Sequence, residues 1–524
     1  MDKSIARGSS RVKFLAVLTV FAMAFAALAL CPAGTYDADD GNRVTTWDEL
    51  KDAINSAASV GDTIVLDSDI SDDSKDGAVK IKNKNITIDL NGHKIDRQRG
   101  TPDGKDGRLF EISEVAFVTI KNGTLMGGHG DDGGCIFIDT AYVQLEDVIV
   151  TGNYSSDDGG AIWAKSGQVN IFGGQVTNNS CDGDGGAVYV ENSSFFQTRD
   201  AKFSGNKAED DGGFLYADES YYDFMNCDIR ENYAVGNGGA ICIDGVIEDE
   251  DYHAIGSTVF TENNADKSGG AIYINDGLLL VIACTFDCNW SDDNGGAIYA
   301  EDSDMMITSK IIRDTGEVVP TVFKGNQAPN SGGAVMFYGG EYELESTVLD
   351  RNYANGSGGA VYINNDSDVS FLDATFTANK TLGNGGAILV GGDDNKVVLK
   401  GMFTIKDNTS DKQGPNVFIR GDTKLTCDKI EEGSIIGISL DKGDGKFTKD
   451  FDKNNPGADP AKIFISNDSN YYVGSDGGEA KMYKSGTSGD MSDNMIWIIV
   501  GVIAAIIVVA VIVYVLKTRK SNLA

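Results

Sequence analysis

The residues best equipped for chemistry in this sequence are carboxylates, and they come in pairs. Asp131-Asp132, Asp157-Asp158, Asp210-Asp211 and Asp292-Asp293 each stand just before a Gly-Gly dipeptide, with Asp182 and Asp184 in another copy. A row of hard oxygen donors would suit Ca²⁺. Two carboxyls at a set separation are what glycoside hydrolysis requires, and a lyase needs a base such as Arg or Lys near metal-binding carboxylates. Arg313-Asp314, in a stretch that could overhang a groove, is such a basic candidate. Only three His occur, His93, His129 and His253, in unrelated registers, and Asp and Glu are so abundant that no catalytic pair stands out. No residue is assigned a catalytic role. A solvated edge is the simpler reading of the acidic row, which breaks where Gly236-Asn237 or Lys267-Ser268 replace it. A second set is aromatic: Trp163, Tyr189, Tyr216, Tyr273, Tyr299 and Tyr362 each stand four residues after the first Gly of a pair. Alternation along GGAIYI puts this position on the face opposite Ile272 and Ile274. Such an outward ladder could stack on sugar rings, or could simply support neighbouring turns.

What positions these residues is a repeat. The Gly pairs begin at 133, 159, 185, 212, 238, 269, 295, 332, 358 and 385, and seven of the nine intervals are 26 or 27. The two longer intervals hold the insertions VIEDEDYHA (246–254) and SKIIRDTGEVVP (309–320), and a degenerate copy, QGPNVFI, follows at 413–419. An Asn keeps register ahead of the pairs: Asn153, Asn179, Asn206, Asn232, Asn263, Asn289, Asn326, Asn352, Asn379 and Asn408. Three residues before it stands an apolar side chain, often Phe, as in FSGN (203–206) and FDCN (286–289). A fixed period of this size indicates a solenoid, because one unit cannot bury its apolar face without neighbours. The alternating segments are short and none has helical period over ten residues, so each copy is one turn of a parallel β-helix. Paired Gly allow positive φ and close stacking at a corner, and an Asn there can adopt the left-handed region and bond its neighbours above and below.

Coil ends expose strand edges, so caps are expected. Residues 46–60 carry an amphipathic helix pattern with Leu50, Ile54 and Ala57 on one face and Thr46 as N-cap, Glu49 three later. The expected organisation is a signal peptide (1–33), an N-terminal cap with first turns (44–110) and the repeat β-helix (111–420). Cap strands IIGISL, AKIFIS and EAKMYK (421–484), a tether (485–494), a transmembrane helix (495–516) and a cytoplasmic tail (517–524) follow. The apolar run at 14–30 follows four basic residues, and the run at 495–516 is uncharged and precedes Lys517, Arg519 and Lys520. The net charge is −35, and each end contributes +3, leaving −41 between them. That argues against nucleic acid and anionic membrane surfaces as partners, since both require basic patches. Eight scattered Cys without a CxxC pair suggest buried free thiols rather than a disulfide framework. Eleven Asn-x-Ser/Thr sequons occur, among them Asn85, Asn122, Asn153, Asn289, Asn355 and Asn379.

The pairing of GGA[ILV] with FxxN, as in residues 286–298, resembles the repeat of the chlamydial polymorphic membrane proteins. It also resembles the adhesin-like surface proteins of gut methanogens and anaerobic bacteria. The resemblance implies a right-handed, pectate-lyase-like β-helix displayed on a cell surface for attachment. Polymorphic membrane proteins end in a translocating β-barrel, whereas this sequence ends in one apolar segment, which favours a single-membrane envelope. The expectation is a non-catalytic rod, anchored in the cytoplasmic membrane, that binds glycans or surface proteins of another cell or of the envelope. A polysaccharide lyase or glycoside hydrolase on the same scaffold and a structural envelope spacer are the alternatives.

Overall fold

Alternation decides the strands, and left-handed residues decide the corners. The computed structural model describes residues 42–57, 60–73, 77–102, 107–245, 253–392 and 394–486. One repeat illustrates the coil. Its strands are Ile162–Lys165, Gln168–Phe172, Gln175–Thr177 and Ser180–Cys181. Ile162, Ala164, Val169, Ile171 and Val176 point inward and are fully buried. Between the strands, Ser166, Gly173, Gly174 and Asn178 take positive φ and bend the chain.

Successive coils pair in parallel, in register except for shifts at Val60/Asp62 and Lys400/Gly401. Ile162 faces Val188, Val188 faces Leu215, and Leu215 faces Ile241. The strands after the Gly pairs stack without interruption from Val79–Lys82 to Ile435–Leu440, fourteen levels in all. At the usual strand spacing this is a rod about 60–65 Å long. The two-residue strands form a separate eleven-stranded stack along one edge. A single apolar core runs the whole length, from Val44 to Met482. The structure is thus an all-β parallel solenoid, as the repeat predicts.

The two ends depart from the coil. Trp47–Ser56 is a helix whose Thr46 hydroxyl accepts the Glu49 N–H, and it buries Trp47, Leu50 and Ile54 in the core. At the other end, one sequence expectation needs correcting. AKIFIS is not a strand throughout: Pro460–Ile463 is a helical turn, N-capped by Asp459, and only Phe464–Ser466 is extended. Pro at the first helical position favours that turn. Glu479–Lys484 pairs antiparallel with Tyr471–Asp476 and with Gly445–Lys446. The expected leader, apolar span and tail lie outside the described residues. Among the described residues, no helix is long and apolar enough to cross a membrane.

Candidate functional site

The Asn row is structural, and its chemistry is complete. Asn263 donates its backbone N–H (3.1 Å) and one Nδ2 hydrogen (3.0 Å) to Asn289 Oδ1. Its other Nδ2 hydrogen goes to the Ile229 carbonyl at 3.0 Å. Its own Oδ1 accepts the same two bonds from Asn232. Both amide donors and both acceptor sites are therefore used. The pattern repeats from Asn153 through Asn179, Asn206, Asn232, Asn263, Asn289, Asn326, Asn352 and Asn379 to Asn408, all buried. Beyond Asn408 the row runs on through Asn416 to Asn467.

This geometry explains why Phe and Asn keep a fixed spacing. Asn289 Nδ2 donates to the Phe260 carbonyl, three residues before the preceding Asn. The Phe side chains stack inside at the same register, with Phe260–Phe286 4.8 Å and Phe286–Phe323 4.7 Å apart. One expectation is corrected: the left-handed residue is not the Asn but the one before it. Gly152, Asn178, Gly205, Glu231, Glu262, Cys288, Gly325, Arg351, Ala378 and Asp407 hold φ between 54° and 67°. The Asn backbone must stay extended to aim its N–H at the next Oδ1. In the Gly pairs the two members differ in role. Gly269 has φ 72°, and a Cβ on Gly270 would collide with the backbone oxygens of Gly296 and Trp290.

The residue just before each Gly pair forms a second ladder that sequence reasoning missed. Asp158 Oδ1 accepts the Asp184 N–H at 2.8 Å, and Asp184 Oδ1 accepts that of Asp211 at 2.8 Å. Asn237, Asn294 and Asn384 do the same for Ser268, Ser331 and Gln413. The shared feature, an oxygen two bonds from Cβ or nearly so, was visible as Asp, Asn or Ser at one register. Burial, followed by neighbouring carboxylates, pushes Asp158 up to about 6 and Asp184 up to about 7, against backbone bonds that pull the other way. Asp132 is raised for the same first reason. Asp292-Asp293 sits one residue earlier than Asp157-Asp158, because Asn294 takes the ladder position. Among the described residues, no group of three or more His, Cys, Asp or Glu is arranged to hold a metal ion.

The aromatic ladder exists, in two stacks. Phe137, Trp163, Tyr189 and Tyr216 follow one another at 4.7, 6.4 and 5.2 Å with planes within 15°. Buried Cys242 interrupts them, and Tyr273–Tyr299 resume at 5.4 Å. Buried Met336 then separates Tyr362. In-register parallel pairing places these rings like coins along the rod, so their faces meet each other and their edges face outward. None is more than half-exposed. Carboxylates flank them: Tyr216 OH donates to Asp244 at 3.4 Å and Tyr273 OH to Glu301 at 3.1 Å.

The remaining candidates are dispersed. Lys310–Ile311 and Val318–Val319 make a small antiparallel hairpin with Arg313 and Asp314 exposed at its turn. His93 approaches Asp69, His129 packs on Tyr154, and His253 is buried against Tyr221 and Tyr222, so the three do not meet. Among the described cysteines none is paired, and all but Cys288 are buried. The sequons at Asn153, Asn289, Asn379 and Asn408 are spent in the buried ladder, whereas Asn85, Asn122 and Asn355 are exposed.

Comparison with known proteins agrees with this architecture. Residues 41–163 match the family described as a pectate lyase-like adhesive domain. Residues 257–275, which include SGGAIYIN, match the Chlamydia polymorphic membrane protein repeat. Among curated proteins and among solved structures, nothing matches. The chain is therefore a β-solenoid that resembles a pectate lyase-like adhesive domain over 41–163 and carries a segment similar to the polymorphic membrane protein repeat at 257–275.

Proposed function

We propose that the chain is a non-catalytic rod on a cell surface, held in the cytoplasmic membrane by 495–516 with its C-terminus inside. In this reading the helix Trp47–Ser56 shields the first coil, and the outer faces of the coils bind glycans or surface proteins of another cell or of the envelope. The observation that carries the reading is the adhesive-domain match lying on an uninterrupted solenoid. The rows of rings and carboxylates along its outside support it, because similar side chains recur over several successive levels of a long face. A glycan array and a polysaccharide-cleavage assay on the full chain, with and without Ca²⁺, test it. Retention of glycan or of cells without release of shorter sugars is expected. Shortened products would replace this reading with a surface-anchored lyase or hydrolase.

A further inference from the structure

The outer face of the second strand of each coil changes character along the rod. In five successive coils the first outward position carries Phe117, Tyr142, Gln168, Phe195 and Tyr221, in register. Two residues on, the middle row carries Thr119, Gln144, Asn170, Gln197 and Asp223, with Asn170 and Gln197 buried. Beyond the fifth coil the middle row becomes Ala254, Leu280 and Met306 before Glu343 and Ser370, and the first row passes through Leu278 to acidic Asp304, Glu341 and Asp368.

Within those five coils the polar groups form two hydrogen-bonded clusters. Gln168 donates to Asn170 at 3.2 Å, Asn170 to the Tyr142 hydroxyl at 2.7 Å, and that hydroxyl to Gln144 at 2.6 Å. Gln197 donates to Asp223 Oδ2 at 2.8 Å, while Asp223 Oδ1 is buried without a hydrogen-bond partner. The rings beside these clusters are not coin-stacked. Phe117–Tyr142 and Phe195–Tyr221 are tilted by 32° and 42°, and Phe117 is half-exposed. The nearby cations are already neutralised, Lys121 by Asp89 and Arg199 by Asp223.

We infer that this five-coil face is a binding strip for an uncharged oligosaccharide lying along the rod axis, which rests on the adhesin reading above and names its ligand class. Tilted rings offer faces to the apolar sides of sugar rings, and planar amides both donate to and accept from hydroxyls. A uronate chain finds no cation in excess, within a molecule of net charge −35. A protein partner would need an apolar anchor seated in a pocket, and this face is shallow and amide-rich. Five coils give a strip about 19 Å long.

The test uses the full chain and calorimetric titration with cello-, manno- and xylohexaose, with hexagalacturonate as the anionic counterpart. At least one uncharged hexamer binds and hexagalacturonate does not. The double substitution Gln144→Leu and Gln197→Leu, close in volume, weakens that binding at least about tenfold, as does the exposed Phe117→Ser. Ile465→Ser, exposed near the far end of the rod, leaves it unchanged, and melting curves confirm that each variant folds. Binding that survives both changes overturns the site and leaves glycan adhesion standing. Preference for hexagalacturonate overturns the ligand class. If no hexamer binds while the chain still retains protein-coated surfaces, the inference fails and the adhesin reading holds; if neither is retained, both fail.

Discussion

Two polar ladders run side by side along this rod, and they tolerate different residues. The ladder of Asn153 to Asn408 is Asn in every one of ten coils and is buried throughout. The ladder just before the Gly pairs is Asp at 158, 184 and 211, then Asn, Ser or Gln from 237 to 413. Both accept the N–H of the next coil. The buried one must also supply two donors, to the next Asn and to a carbonyl, and only a primary amide does that with two acceptor sites to spare. The outer one needs a single acceptor and keeps contact with water, so carboxylate, amide and hydroxyl all serve. Partner count and burial together, rather than position in the corner, set the permitted residue types.

The sharpest way to break the comparison is to exchange the ladders' residues. Asn263→Asp removes both donors and buries a charge, and should cost about 3–5 kcal/mol in urea unfolding. Substitution by Ala at the same site should cost less, about 1–3 kcal/mol, because it strands neighbouring amides without adding charge. A cost for Asn263→Asp below that of Asn263→Ala would end the argument from partner count.

His253 extends the contrast to a buried polar group with an unmet atom: its Nδ1 has no partner. Burial holds its pKa at about 4, below the ordinary 6.5. The unfolded chain therefore takes up a proton that the fold refuses. Stability is full above pH 6.5 and declines by roughly 3 kcal/mol as the pH falls toward 4. His253→Phe should remove that part of the acid sensitivity, read as melting temperature against pH.

Asp184→Asn probes the outer ladder with the opposite sign. Its raised pKa, about 7 against 3.8, means the folded chain holds a proton that the unfolded chain releases. Stability from this group is full below 3.8 and lost as pH rises through 7. The Asn variant should melt above the parent at pH 8 and with it at pH 3; equal melting at both would show that water fully screens the row.

The smallest effect concerns the residue before each buried Asn. Ala378 holds φ 55° where Gly152, Gly205 and Gly325 stand in other coils. Left-handed geometry costs a side chain about 1–2 kcal/mol, less the entropy Gly loses on folding. Ala378→Gly should thus stabilise by up to about 1 kcal/mol, measured as a shift of the unfolding midpoint.

The sequence by itself determined the coil. A 26-residue period with linked FxxN and GGA phrases leaves a chain little else to form, because each phrase solves a local problem that recurs at every level. Phe fills the core beside its copies, Asn saturates the corner, and the second Gly lets backbones touch. The helix at Trp47–Ser56 was legible for a similarly local reason, its cap and its apolar stripe. What only the tertiary structure decided depends on neighbours about 26 residues away in sequence. Coin-stacking of Tyr189 on Tyr216 follows from in-register pairing, which turns ring faces toward each other and leaves edges outside. The left-handed residue fell before the Asn because the Asn N–H must aim along the rod. The amide-and-ring strip from Phe117 to Tyr221 carries no phrase of its own, since its members share a face only after five coils are stacked.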